Sequence, residues 1–301
     1  MFEQLNAATW PSVWGILLIV IILIAIAANS MAKRKADKNT LKPVEPHAEG
    51  IRIAMCQITI FDGDRKGNFV RIENAIVEAK NQGADIACFP ESAILGWLNP
   101  DAHIRACTIP GPDSDLLCEM AKKYKVHLCI GLEEKDGARL YNSALLIDDQ
   151  GRILVKHRQI NIPQKLMSPP YTAGADSDIG AANTKFGKIG LLVCADTHNE
   201  GILDRMAALK PNQLLVPYGY AEQEANWPRH GQELQRVVVN TAKRTQTTVV
   251  GTNPVGEITK GPWAGRIYGG QSVAADKTGK IIAIAKDRDR DIILVSINTA
   301  K

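Results

Sequence analysis

Gly187-Lys188-Ile189-Gly190-Leu191-Leu192-Val193-Cys194-Ala195-Asp196 is the stretch whose reading decides the fold. A short apolar run bounded by glycine reads as a strand buried on both faces. Its last residue is a thiol, delivered to the carboxyl end of the strand, where open α/β sheets place their chemistry. Upstream, Ala84-Asp85-Ile86-Ala87-Cys88-Phe89-Pro90-Glu91 has the same plan, with a carboxylate at the tip. A strand-tip Glu91 and a strand-tip Cys194 are a candidate base and nucleophile on rigid supports.

Outward from these strands the pattern alternates. Residues 51–58 read as a strand, and 68–82 as a helix with Phe69, Ile72, Ile76 and Ala79 at helical spacing, stopped at Gly83. Asp113 can cap a helix running to Lys125, and a strand follows from Val126 to Leu132. Leu140 to Ile147 and Arg152 to Arg158 form a hairpin around Asp148-Asp149-Gln150-Gly151. Helices over 200–209 and 226–244 are each followed by a strand, and the end of the chain is strand-rich. The loops 160–183 and 218–232 would carry specificity. Strands alternating with helices, without an internal repeat, predict one α/β domain over 51–301.

The chain has 301 residues, a net charge of +4, 45% hydrophobic and 23% charged residues, an ordinary folded composition. About +3 of the charge falls on residues 51–301, too little to argue for nucleic acid. None of the six cysteines forms a CxxC pair, and most fall in apolar runs, which favours reduced thiols over a disulfide frame.

Residues 1–28 carry a single charge, Glu3, and 10–28 is a 19-residue apolar stretch with Trp10 and Trp14 at one end. As a helix it would be roughly 28 Å long, close to a bilayer's hydrocarbon thickness. Basic residues follow it and none precede it, so the positive-inside rule puts 1–9 outside and the remainder in the cytoplasm. A cleaved signal peptide fits less well, because the first residues hold an acid and no base. Residues 29–50, with five basic residues against three acidic and Pro43 and Pro46, read as a basic polar linker that is either solvated or laid against anionic lipid headgroups.

Five segments in order resemble the nitrilase (carbon–nitrogen hydrolase) superfamily: Phe89-Pro90-Glu91-Ser92 with Gly96-Trp97; Leu140-Tyr141-Asn142-Ser143-Ala144; Gly151 through Gln159; Cys194-Ala195-Asp196 with Glu200; and Tyr268-Gly269-Gly270-Gln271-Ser272. The resemblance implies a four-layer α-β-β-α sandwich, here preceded by one transmembrane helix, and a homodimer or larger assembly. The anchor could also assemble with other membrane proteins. It implies hydrolysis of a small amide, ureide or nitrile by a Glu-Lys-Cys triad, with no metal and no organic cofactor.

One position departs from that pattern. Aligned on Gly151 and Arg158, the lysine of the triad falls on Gln159. Lys156 is three residues back on an extended strand and points to the opposite face. Lys165 lies in the following loop and could reach back. Gln159 offers a neutral amide N–H in place of an ammonium, so the site either hydrolyses more slowly or binds without turnover. The resemblance assigns Glu134 as a second glutamate that orients lysine and substrate, with Glu133 one residue away as the alternative. The backbone N–H of Ala195 is a candidate oxyanion donor. Trp97, Tyr218, Tyr220 and Trp263 are candidates for the pocket wall. Cys194, Asp196 and His198 include metal-ligand types but lack supporting ligands at suitable spacing. His103, His157 and His230 are assigned structural or surface roles.

Overall fold

Strands apolar on both faces need cover on both faces, and the chain supplies it with two six-stranded sheets laid against each other and helices outside each. The computed structural model describes residues 50–298 apart from 164, 165 and 228. In the first sheet, β1 (Ile51–Gln57), β2 (Ile86–Cys88) and β3 (His127–Asp136) run parallel. β4 (Arg139–Ile147), β5 (Ile153–Arg158) and β15 (Asp291–Ile297) flank them antiparallel, in the order β15-β1-β2-β3-β4-β5. The second sheet repeats this plan. β7 (Gly187–Leu191), β8 (Gln213–Pro217) and β10 (Thr248–Thr252) are its parallel centre. β6 (Gly180–Thr184), β13 (Val273–Ala275) and β14 (Ile281–Ile284) are its antiparallel flanks. A small third sheet joins β9 (Ala221–Glu222), β11 (Val255–Glu257) and β12 (Ile267–Gly269).

Helices α1 (Arg65–Asn81) and α3 (Pro112–Tyr124) cover the first sheet, with the short α2 (Ala102–Arg105) between them in sequence. Helices α4 (Glu200–Ala208) and α5 (Arg229–Thr245) cover the second. Period-two alternation divides the apolar residues between the layers. In β1, Ile51, Ile53 and Met55 enter the core shared with the second sheet, while Ala54 and Cys56 face the helix side. In β4, Ala144 and Leu146 point inward and Leu145 and Ile147 outward. Each such fully buried Ile or Leu contributes about 1.5–3 kcal/mol of transfer free energy.

Some expected boundaries shift for local reasons. Helix α1 starts earlier than its apolar stripe because the Asp64 carboxylate caps it, accepting from the Gly67 N–H at 3.1 Å. Strand β6 falls in a stretch expected to be loop; its residues, Gly180-Ala181-Ala182-Asn183-Thr184, carry no bulky apolar signal. The expected transmembrane helix 10–28 and nearly all of the linker 29–50 lie outside the described residues. Among the described residues, no helix is long and apolar enough to cross a membrane.

Candidate active site

Both strand tips bend through a left-handed residue. After β2, Phe89 and Pro90 lead to Glu91, and Ser92 has φ +50°. After β7, Cys194 itself has φ +40° and opens a turn of 3₁₀ helix that runs to His198. Such a conformation costs a non-glycine residue about 1–3 kcal/mol and persists only where the surroundings over-determine it. At Cys194 they do. Asp196 Oδ1 accepts the backbone N–H groups of Ile160 (2.9 Å) and Asn161 (2.8 Å), and its Oδ2 accepts from Val193 N–H (3.2 Å) and pairs with His157 Nε2 (2.7 Å). Asn161 Nδ2 donates to the Ala195 carbonyl at 2.6 Å, and the Thr197 hydroxyl to the Cys194 carbonyl at 2.7 Å. Asp196 is thus consumed in holding the turn, and His198 Nε2 meets the Tyr220 hydroxyl at 3.0 Å. Among the described residues no three His, Cys, Asp or Glu side chains gather as a metal site.

Glu91 is 1% exposed. Its Oε1 accepts from Asn142 Nδ2. Its Oε2 has no well-formed hydrogen bond and lies against Gly219, where an added Cβ would stand 2.7 Å away. Burial pushes the Glu91 carboxyl up to about 7; the nearby Cys194 thiol and the Asn142 amide pull the other way without cancelling it. Burial also pushes the Cys194 thiol well above its ordinary range, and the Glu91 charge adds to this. At neutral pH the resting pair is a protonated thiol beside a carboxyl near its midpoint.

Gln159 is 2% exposed and faces the same space. Its Oε1 accepts from Asn142 Nδ2 at 2.9 Å and its Nε2 donates to the Val193 carbonyl at 3.3 Å. Asn142 therefore bridges Glu91 and Gln159, and Gln159 reaches the backbone beside Cys194. Lys156 points to the opposite face, with its Nζ 2.6 Å from Glu134 Oε1. Lys165 lies outside the described residues.

The role expected of Glu134 needs correction. Period-two alternation puts Glu133, not Glu134, on the inner face, directly opposite Asn142 in the β3–β4 register. Glu133 is buried, neither of its oxygens has a well-formed partner, and burial pushes its carboxyl up to about 8. Glu134 is held on the other face by Ser143, Lys156 and Arg158.

A cavity of 410 Å³ opens above Cys194 and Ala195. Trp97, Tyr220 and Trp263 line it, and Trp97 and Trp263 meet edge to face at 5.0 Å between centroids. Tyr218, also expected there, is instead fully buried in the core, its hydroxyl donating to Thr197 at 3.2 Å. His230 lines the cavity and stacks on Tyr220, in place of the structural or surface role assigned to it; His198 lines it too. His157 is buried on Asp196, and His103 meets the Pro169 carbonyl at the surface. The site's unexpected member is Asn142. Its signal was available as a lone amide inside the apolar pattern Leu140 to Leu146.

The Carbon-nitrogen hydrolase family model matches residues 52–301. Among similar proteins, the bifunctional nitrilase/nitrile hydratase NIT4A of Nicotiana tabacum is 33% identical over 163 residues, covering 48% of this chain and 46% of that protein. Nitrilase 3 of Arabidopsis thaliana is 32% identical over 187 residues, 55% of this chain and 54% of that protein. The matched stretch is about half the length of these relatives. The fold is similar to that of an amidase of the nitrilase superfamily from Nesterenkonia, with TM-score 0.72, 20% identity, and coverage of 85% of this chain and 94% of that one. With strand order, paired sheets and sequence pattern all in agreement over residues 52–301, the chain belongs to the carbon–nitrogen hydrolase family.

Proposed function

We propose that the protein hydrolyses a non-peptide carbon–nitrogen bond, in a small amide or nitrile, with Cys194 as nucleophile and Glu91 as base. The observation that carries this reading is the buried Glu91 carboxyl, poised near pH 7 beside the Cys194 thiol at the floor of an open cavity. A base tuned close to the working pH takes a thiol proton and returns it at least cost. For an amide, Cys194 Sγ attacks the carbonyl carbon as its proton passes to Glu91. Glu91 then protonates the leaving nitrogen as the C–N bond breaks, and ammonia departs from an acyl-thioester. A water, deprotonated by Glu91, cleaves the thioester and restores the thiol. The Ala195 N–H and the Gln159 Nε2 are the donors for the oxyanion. One amidase variant with the same fold carries the acetamide moiety of fluoroacetamide covalently at its active-site cysteine, an alkylation of sulfur that supports a nucleophilic thiol at the matching position here.

Gln159 favours a second reading, a catalytically silent subunit that binds without turnover. Among the described residues no lysine or arginine lines the cavity, and the charge an ammonium would give the oxyanion is missing. The open cavity above Cys194 speaks for the first reading. In either case the apolar stretch 10–28 would anchor the domain to a membrane, with the site on the cytoplasmic side.

The experiment is ammonia release and intact-mass analysis with a panel of amides and nitriles. An acyl adduct on Cys194 that disappears in Cys194→Ala supports hydrolysis. Ligand binding with neither adduct nor ammonia supports the silent subunit.

A further inference from the structure

A second cavity, of 640 Å³, adjoins the one over Cys194, and Leu166 is common to both walls. Two loops bring them together. Trp97 leads through Leu98 and Asn99 to Pro100, and Trp263 follows Pro262. The loops are clasped: Gly261, at φ +76°, comes so close that an added Cβ would meet the Leu98 carbonyl at 2.3 Å. Trp97 and Trp263 form one wall of the first cavity, and Pro100, Met167, Pro170 and Pro262 line the second.

Among the described residues, no Asp, Glu, Lys or Arg side chain lines either space. The two imidazoles that do, His198 and His230, are pushed below their ordinary range by burial and stand neutral at pH 7. Arg266 lies over the Trp263 ring, at 3.6 Å to its centroid, and faces the Glu222 carboxylate at 3.9 Å. Among the described residues nothing offers a counter-charge to a substrate's ammonium or carboxylate in exchange for lost hydration. An apolar chain would gain from each buried methylene.

We propose that the substrate is an uncharged primary amide or nitrile with an apolar acyl chain, its reactive carbon over Cys194 and its chain passing Trp97 and Trp263 into the groove between Leu166, Met167 and Pro262. This rests on the hydrolase reading and adds a substrate class to it.

The test is a homologous series, acetamide to octanamide, with the full-length chain and with Pro262→Asp, a change at an exposed position that puts a charge on the groove. The expected result is a kcat/KM that rises about fourfold per methylene over the middle of the series. In Pro262→Asp the octanamide-to-acetamide ratio should fall at least tenfold. Partition into detergent affects both proteins alike, so the difference between their slopes reports the groove. A flat or falling series, or a preference for an amide of equal length that carries an ammonium or carboxylate, would overturn the proposal. If neither these amides nor nitriles of the same chain lengths yield ammonia, hydrolysis itself fails. The same series titrated into Cys194→Ala, followed by tryptophan fluorescence, then decides the groove alone: affinity rising with chain length supports it and a flat response overturns it.

Discussion

The two faces of the β3–β4–β5 ribbon carry similar polar residues in opposite states. On the outer face, Glu134 accepts from Ser143 Oγ at 2.7 Å, Lys156 Nζ at 2.6 Å, and Arg158 Nε at 2.9 Å and Nη2 at 2.6 Å. The Arg158 guanidinium also lies over the Tyr141 ring, 3.9 Å from its centroid. On the inner face, Glu133 has no well-formed partner for either oxygen, and Asn142 Oδ1 and the neighbouring Glu91 Oε2 are also unpaired. Buried polar groups in native structures are nearly always satisfied, so a cluster of exceptions marks a place kept for something else. The satisfied face holds the ribbon's shape. The unsatisfied face leaves carboxyl and amide oxygens free to meet a bound molecule.

The strongest way to break this contrast is at the inner face. Cys194→Ala or Glu91→Gln should lower kcat/KM by about 10⁴-fold or more, measured as ammonia release. Stability should move the other way. The folded Glu91 carboxyl titrates near 7, above its ordinary 4.5, so the fold favours the protonated form. Its contribution is fully present below about pH 4.5 and is lost as pH rises through 7. Glu91→Gln should therefore unfold at a higher Tm than the parent at pH 8, by an amount equivalent to about 3 kcal/mol at most.

Gln159→Lys sharpens the comparison by placing a cation on the inner face. An ammonium near the oxyanion should raise kcat/KM by about 10²-fold. It should also move the acid limb of the pH–rate profile, expected near 7 in the parent, to lower pH, because a neighbouring cation favours ionised Glu91. An unchanged limb would show that residue 159 does not face the base.

Glu134→Gln probes the outer face. The loss should be in stability, about 3 kcal/mol, with turnover per folded molecule kept. Burial raises the Glu134 carboxyl, but Arg158, Lys156 and Ser143 outweigh it and hold it below its ordinary 4.5. Its stabilisation is present above that value and fades as pH falls through the folded one. The parent should lose stability over that acidic range, and the variant should be flatter, in thermal melts taken as a function of pH.

The smallest effect is expected from Asn142→Leu, which removes the bridge between Glu91 and Gln159. The Glu91 carboxyl loses a donor that lowers it, so the acid limb should rise by about one pH unit and kcat/KM fall about tenfold. A fall in rate without movement of the limb would make Asn142 a packing residue only.

Much of this was legible in the chain. Short glycine-bounded apolar runs read as buried strands, and Glu91 and Cys194 stood out by ending two of them. The departure at Gln159 was equally plain once Gly151 through Gln159 was set against the nitrilase-superfamily pattern. The groove was not legible, because its described walls come from Trp97, Pro100, Pro163, Leu166, Met167, Ser168, Pro170 and residues 261–263, and nothing local says that these loops clasp. Tyr218 and His230 show the same limit: a ring near a strand end can face the core or the cavity, and only packing decides.

The sequence by itself determined most of the strands and helices and the two strand tips that carry Glu91 and Cys194, because hydrophobic periodicity and glycine punctuation act over a few residues. Tertiary structure alone decided which glutamate of Glu133-Glu134 shares a face with Asn142 and that Asn142 ties Glu91 to Gln159. The reason is register. Successive side chains on a strand point to opposite faces, so a shift of one residue, which no local pattern fixes at the end of a hairpin, exchanges a satisfied ion cluster for buried, unpaired carboxyl oxygens.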